Sequence, residues 1–213
     1  AMQSRHSIFN RYIKKIPFVF LQHGVIALKR VDNFYGKGKK GGCDLFVVST
    51  NKEKQTIVEN FEYEPDEVIN TGLPRWDVLK DKSQGKREIL IMPTWRNWLD
   101  SVPDKDFEES DYFRHYMGLL NSERLNQILE KYDLEVNFYL HAKFQEYADT
   151  FKSISKRIHL ISFGEVAVNE MLMRCRMLIT DYSSVCWDIL YQDKPSLFYQ
   201  FDIEKYNEAH GSY

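Results

Sequence analysis

The sequence is poor in cysteine, and it contains neither a long apolar run nor an excess of charge of one sign. Its three cysteines, Cys43, Cys175 and Cys186, form no CxxC pair, which argues against a disulfide framework or a zinc site and favours a reducing compartment. No apolar segment approaches the ~20 residues needed to span a bilayer, and the polar start AMQSRHS is unlike a signal peptide. The sequence therefore predicts a cytoplasmic protein whose membrane contact is at most peripheral.

The charge is nearly balanced. Lys and Arg number 29 and Asp and Glu 31, giving a net charge of −2, which excludes a protein that coats a polyanion over its whole surface. Any basic function must be local, and the Gly-rich segment 29–42 is the candidate, because its charge suits anionic polymers or lipid head groups. A solvated loop explains the same composition, and no nucleic-acid motif accompanies it. The basic side chains are Lys29, Arg30, Lys37, Lys39 and Lys40.

Short apolar runs that alternate with helical patterns indicate an α/β protein with parallel sheets. The polar stretch KDKSQGKR at 80–87 divides the chain into lobes 1–79 and 80–213. Since the first lobe has only about three predicted strands, we expect a truncated Rossmann-like lobe followed by a complete one, which also contains a helix at 112–131. The strands are predicted within 16–24, 43–50, 67–79, 87–96, 134–143, 159–163, 176–181 and 196–202.

The strongest local pattern is LITDYSSVCWDIL at 178–190, a buried strand that runs through a Ser-Ser turn into a helix. The first turn of a helix has free backbone N–H groups and a partial positive charge, which suits a diphosphate. The alternative is that Asp181 or Ser183 simply caps the helix. The loop lacks the glycines of a dinucleotide fingerprint or a P-loop, which argues against NAD and ATP.

Other strand ends also carry polar side chains. His23 ends the first strand of lobe one, and His141 ends the strand NFYLHAK of lobe two. A histidine titrates near neutrality and can take a proton from a hydroxyl, although single histidines in loops are more often structural. Arg96 of PTWR follows a strand too and can bind a phosphate through paired N–H donors, whereas most such arginines form surface ion pairs.

Taken together, QHG, TGLPRWD, PTWR, TDYSSVCWD and KPSLFYQFD resemble the CDP-glycerol glycerophosphotransferase family of the teichoic acid polymerase type. The resemblance implies a GT-B fold with two Rossmann-like lobes and the active site between them. It also implies a CDP-glycerol or CDP-ribitol donor, release of CMP, and transfer to a hydroxyl of an anionic envelope polymer. The enzyme is then expected at the inner face of the cytoplasmic membrane, with no nucleic-acid partner.

The resemblance also assigns residues. It implies that His23 is the general base on the acceptor side and that His141 is a second essential histidine in the donor-binding lobe. The loop residues Arg96, Asp181, Ser183 and Ser184, with the adjacent Thr180, match donor-binding positions. Asp188 matches an acidic position of the family pattern and is counted among the donor-binding residues.

Three points stay open at the level of sequence. The family pattern Arg-Gly-Phe/Tyr is replaced here by His210-Gly211-Ser212-Tyr213. No acidic metal-binding cluster is evident, so we expect no required cofactor, with Mg²⁺ bridging the diphosphate as an option. The rival functions are a GT-B glycosyltransferase that uses a nucleotide-sugar and a non-catalytic polymer-binding module.

Overall fold

The computed structural model describes residues 16–152 and 155–213. The chain divides into two compact units, one containing the residues up to Val78 together with Gly211–Tyr213, and the other Leu79–His210. The predicted boundary lies after residue 79, with the last three residues in the second lobe. Each unit has its own parallel sheet.

The first unit is built on three parallel strands. They are β1 (Val19–Phe20), β2 (Leu45–Val48) and β3 (Val68–Asn70), with β2 in the centre. Helix α1 (Asp32–Tyr35) lies between β1 and β2 in the chain, and helix α2 (Asn51–Asn60) connects β2 to β3. The apolar side of α2 packs against the sheet because burial removes its side chains from water. The buried core comprises Phe46, Val48, Ile57, Phe61, Tyr63 and Val68.

The second unit contains a five-stranded parallel sheet. Its strands are β4 (Glu88–Ile91), β5 (Glu135–Tyr139), β6 (Ile158–Ile161), β7 (Met177–Thr180) and β8 (Ser196–Phe198), in the order β6-β5-β4-β7-β8. The chain moves outward from β4 to β6 and then returns to the other side of β4. The strand order therefore reverses between β4 and β7, and ligands of doubly wound sheets bind at this switch point, outside the carboxyl ends of the strands.

Buried apolar strand residues and packed aromatic rings stabilise this sheet. The strand centres are continuous apolar runs, as in Ile89, Leu90 and Ile91, because helices cover both faces of a parallel sheet. On one side, the rings of Phe107 and Tyr147 stack with centroids 3.9 Å apart. The helices of this unit are α3 (Asp104–Glu108), α4 (Asp111–Leu120), α5 (Glu123–Tyr132), α6 (Val168–Arg174), α7 (Val185–Leu190) and α8 (Ile203–His210).

The prediction of an α/β fold with parallel sheets is confirmed, and strands occupy every segment in which one was predicted. The single helix predicted at 112–131 is wrong, because α4 and α5 are separated there. The hydroxyl of Ser122 accepts a hydrogen bond from the Leu125 amide at 3.3 Å and so starts a new helix. Within the described ranges, no helix is long and apolar enough to span a bilayer.

Candidate active site

Two loops meet at the switch point of the second unit, one after β4 and one after β7. The amide of Met92 donates to the Ile179 carbonyl at 2.9 Å, and the Thr180 hydroxyl donates to the Met92 carbonyl at 2.6 Å. The amide of Thr94 donates to Asp181 Oδ1 at 2.8 Å. The PTWR and TDYSS segments, which are far apart in sequence, are therefore fixed against each other at the edge where a ligand of this fold class binds.

Asp181 is the centre of this arrangement. Its side chain is fully buried, and Oδ1 also accepts from the Tyr182 amide at 2.7 Å. Its other oxygen, Oδ2, accepts from the Tyr116 hydroxyl at 3.0 Å and lies 2.9 Å from Arg96 Nη2. A buried carboxylate is tolerated only when it is paired and hydrogen-bonded, as it is here. Asp181 therefore fixes the two loops to each other, and its assignment as a donor-binding residue stays a prediction.

Arg96 requires a correction. It was predicted to bind the donor phosphate, but its side chain is 0% exposed. Its Nε donates to Asp202 Oδ2 at 2.7 Å, its Nη1 to the Thr94 carbonyl at 2.6 Å, and its Nη2 to Asp202 Oδ1 at 3.0 Å. Burial opposes the charge, but Asp181 and Asp202 raise the pKa of Arg96 above its usual value. Arg96 is a positioning residue whose donors are already used within the protein.

The remaining residues that were predicted to bind the donor differ in their exposure to solvent. Thr180 is fully buried, and its hydroxyl donates to the Met92 carbonyl, so a contact of this side chain with the donor stays a prediction. Asp188 is also buried, inside α7, and its donor-binding role likewise stays a prediction. Ser183 and Ser184 remain half-buried at the loop surface. The N-cap of α7 is Ser184, without a side-chain capping bond. The Ser183 hydroxyl accepts from the Val185 amide, the first of α7, at 3.5 Å, whereas Asp181 does not cap the helix.

His141 lies at the carboxyl end of β5, on the surface of the second unit. Its Nδ1 accepts a hydrogen bond from the Lys143 amide at 3.2 Å and caps the 3₁₀ helix Ala142–Thr150. In a neutral imidazole one nitrogen accepts and the other donates, so this bond assigns the proton to Nε2. His141 therefore presents a donor, which suits a negatively charged group better than a proton to be removed.

An aromatic and cationic cluster surrounds His141. Its ring meets that of Trp95 edge-on at 6.4 Å, and Lys143 Nζ lies 4.3 Å from the centre of the Trp95 ring. The ring of His210 lies 6.0 Å from Trp95 and 6.2 Å from Trp98. Sequence reasoning noted His210 only as a departure from a pattern and did not assign it to the site. The cluster lies at the same edge of the sheet as the switch-point loops, at the carboxyl ends of the strands, because Trp95 belongs to one of these loops.

In the first unit, His23 follows β1 and is exposed. Nη1 of Arg75, which lies in the turn after β3, donates to the His23 carbonyl. Partial desolvation of the imidazole, and secondarily the charge of Arg75, lower the pKa of His23 below its usual value. The ring is therefore neutral at pH 7, the form that can accept a proton. Because His23 and His141 belong to different units, the idea that they meet across a cleft stays a prediction.

Two side chains of the basic segment are engaged in ion pairs, one of them with a residue outside the segment. Lys37 Nζ lies 2.7 Å from Glu67 Oε1, which raises the pKa of Lys37, and Arg30 Nε lies 3.3 Å from Asp32 Oδ1. Lys29, Lys39 and Lys40 are also exposed. Contact of this segment with a polymer or membrane stays a prediction. No group of three or more His, Cys, Asp or Glu side chains in the described part of the chain is placed to bind a metal, and the metal requirement likewise stays untested.

Comparison with known proteins links these features to a family. A sequence model described as CDP-glycerol:poly(glycerophosphate) glycerophosphotransferase matches residues 4–213. The chain is 32% identical over 211 residues to the minor teichoic acid biosynthesis protein GgaB of Bacillus subtilis (strain 168), covering 92% of the chain and 22% of that protein. It is 30% identical over 216 residues to the teichoic acid ribitol-phosphate polymerase TarK of Staphylococcus aureus (strain NCTC 8325 / PS 47), covering 86% and 39%.

Solved structures agree on the fold. The wall teichoic acid polymerase TagF matches with a TM-score of 0.62 at 21% identity, covering 87% of this chain and 50% of that one. The S. aureus MnaA–UDP structure matches with a TM-score of 0.52 at 16% identity, covering 89% and 52%. The predicted GT-B-like class with two Rossmann-like lobes is confirmed. The chain spans about a fifth to about a half of the length of these proteins.

Proposed function

The chain belongs to the CDP-glycerol:poly(glycerophosphate) glycerophosphotransferase family, and from this premise we propose that the protein transfers glycerol phosphate, or a related polyol phosphate, from a CDP-activated donor to a hydroxyl of a teichoic-acid-like polymer. The observation that carries the proposal is the family match over residues 4–213, because it includes both units and therefore the strand ends of both sheets. The products are an extended polymer and CMP.

The donor side is assigned to the second unit. Ser183 and Ser184 are half-buried at the switch point and offer hydroxyl and backbone donors to a diphosphate. His141 adds its Nε2 proton, and Lys143 adds a positive charge beside Trp95. Such fixed donors stabilise charge that develops on a leaving group.

The acceptor side is assigned to the first unit. The neutral imidazole of His23 takes the proton of the acceptor hydroxyl as its oxygen attacks the β-phosphorus. The new P–O bond forms as the bond between the β-phosphorus and the oxygen bridging the two phosphates breaks, and that oxygen leaves with CMP. A positioned base contributes about 10²–10⁴-fold to such a step, and orientation of the two substrates contributes much of the rest.

Partners and location follow from the same chemistry. The basic segment, through Lys39 and its neighbours, contacts the anionic polymer or anionic lipid head groups, and the protein works at the inner face of the cytoplasmic membrane. No protein-bound cofactor is required in this proposal. Mg²⁺ on the diphosphate is tested by assaying the reaction with EDTA and with added Mg²⁺.

The test is CMP release by the whole protein from CDP-glycerol and from CDP-ribitol, with a teichoic-acid-like acceptor, against release of UDP from UDP-sugars. We expect CMP release, and we expect His23→Ala to lower it by at least about 10²-fold. His159→Ala is the matched control, because His159 is an exposed histidine that contacts Glu135 at the amino ends of β5 and β6, away from the carboxyl ends that form the site. Turnover of UDP-sugars alone would establish a glycosyltransferase, and polymer binding without turnover of any donor would establish a binding module.

A further inference from the structure

Glu53 is a buried carboxylate in the first turn of α2, outside every motif discussed above. Its side chain is 3% exposed. Oε2 accepts hydrogen bonds from the amide and the hydroxyl of Ser49, at 2.7 and 2.6 Å. Oε1 accepts from the Ile26 amide at 2.6 Å and from Gln22 Nε2 at 3.1 Å. The four donors come from two places, the end of β2 and the loop after β1.

The two bonds to Oε1 lie on either side of His23. Gln22 precedes this histidine, and Ile26 follows it by three residues. The Gln22 side chain also donates to the Val47 carbonyl in β2 at 2.8 Å, and its backbone has a φ of +35°. A residue other than glycine stays in this left-handed region only where surrounding contacts enforce it. The path of the loop through His23 is thus set by the contacts of Glu53 and Gln22.

The local sequence assigns Glu53 a simpler role. Thr50 and Glu53 have the spacing of a capping box, in which the glutamate bonds back to the amide of the N-cap residue. The Thr50 hydroxyl does accept from the Glu53 amide at 3.1 Å. The carboxylate, however, bonds to the amide of the preceding residue, Ser49, and extends to the His23 loop. Helix capping accounts for the bond to the Ser49 amide but leaves the bond to the Ile26 amide, in the His23 loop, unexplained.

We propose that Glu53 is a positioning residue that fixes the His23 loop to the end of β2 and so aims the His23 imidazole at the acceptor hydroxyl. The inference rests on the proposed function for its catalytic meaning, since it assigns His23 as the base. The structural part of the proposal does not depend on that function. It states that loss of the carboxylate releases residues 22–26 while α2 and the sheet stay folded. A negative charge in the first turn of α2 also matches the positive end of the helix.

The test compares Glu53→Gln and Glu53→Ala with Glu59→Gln in the whole protein. Glu59 lies on the same helix, is exposed and contacts Gln55. Glutamine keeps one acceptor oxygen but places an NH₂ group against donors, and alanine removes all four bonds. Because a misplacement of about 1 Å can cost about 10²-fold in rate, we expect Glu53→Ala to lower kcat by about that factor, Glu53→Gln by less, and Glu59→Gln not at all.

Two further readouts separate positioning from general loss of stability. The first is the NMR titration of His23, assigned by the signal lost in His23→Asn. Its pKa is lowered in the folded protein by desolvation and by Arg75, so release of the loop should move it back toward the usual value. The second is hydrogen exchange of the Ile26 amide, which should accelerate in Glu53→Ala while the amides of β2 stay protected.

The outcomes are separable. If the wild type releases no CMP, the proposed function fails, and the titration and exchange data still decide the role of Glu53. If the wild type is active and Glu53→Ala keeps its kcat, the positioning role is overturned. A fall in activity that follows the melting temperature, with an unchanged His23 titration, would reduce Glu53 to a residue of fold stability and would also overturn the proposal.

Discussion

Replacement of Asp181 by asparagine tests whether this side chain is a structural centre or a ligand contact. The substitution keeps the shape of the side chain and the acceptor facing the amides of Thr94 and Tyr182. It places an NH₂ group where Oδ2 now faces Arg96 and the Tyr116 hydroxyl. Arg96 then remains fully buried with Asp202 as its one carboxylate partner in the described contacts. Removing one member of a buried ion pair costs about 3–5 kcal/mol, because the other charge is left uncompensated.

For a domain of this size, such a loss corresponds to a fall of about 10–20 °C in melting temperature. Thermal unfolding followed by tryptophan fluorescence reports mainly on the second unit, since Trp95, Trp98 and Trp187 lie there. Asp149→Asn is the control, because Asp149 is an exposed carboxylate of the same unit, and we expect it to change stability by no more than about 0.5 kcal/mol. A melting temperature within about 3 °C of wild type for Asp181→Asn would refute the buried-pair reasoning. If CDP-glycerol binding were then lost in the stable variant, Asp181 would be a ligand contact.

Three more predictions concern pH, stability and the leaving group. The base must be neutral to act, and the pKa of His23 lies below its usual value of 6.5, so kcat/KM should fall only as the pH drops below about 6.5. Arg75→Gln removes a charge that lowers this pKa and should move the acidic fall in the pH–rate profile to higher pH. An acidic fall that the substitution does not move contradicts the assignment of His23 as the base. The buried Lys194 Nζ donates to the carbonyls of Leu172 and Met173 at 3.0 and 2.6 Å, at the end of α6. Lys194→Met removes both of these charge-assisted hydrogen bonds, so it should cost about 3 kcal/mol in chemical denaturation, whereas Lys152→Met, at an exposed position, should cost little. His141→Asn keeps an acceptor for the Lys143 amide but loses the Nε2 donor, so it should preserve the melting temperature and lower kcat by about 10²–10³-fold; unchanged turnover would remove His141 from the mechanism.

The sheets could be predicted from sequence because their signal is local. Runs such as EILI at 88–91 and MLIT at 177–180 are largely apolar over the length of a strand. A strand that is buried on both faces has such a continuous run in place of alternating polar and apolar residues. The candidate site was predicted from the same signal, since polar residues such as His141 and Ser183 follow the ends of β5 and β7. The break at Ser122 was missed because the apolar spacing of α4 continues into α5, and only the capping hydroxyl marks the boundary.

The roles of the charged residues could not be predicted in the same way. Arg96 looks like an exposed phosphate ligand because nothing nearby in sequence pairs with it. Its partner Asp202 lies 106 residues further along the chain, and the fold alone brings the two together. Glu53 was missed for the opposite reason, since a capping box accounts for it locally. Pairing over long sequence distances therefore limits what composition and spacing reveal about a buried charge.

The burial of Arg96 changes how the proposed donor site would work. If Arg96 bound the phosphate, the affinity for the donor would depend largely on this one side chain. The buried network of Arg96, Asp181 and Asp202 instead fixes two loop backbones relative to each other, because its bonds reach the Thr94 amide and carbonyl as well as the Tyr182 amide and hydroxyl. Preorganised donors are effective because they need no reorganisation during the reaction. The buried residues of this network should therefore affect turnover through the placement of the Ser183 turn, and their substitution should lower kcat and stability together. Substitution of Ser183, at the loop surface, should lower donor affinity while stability is maintained.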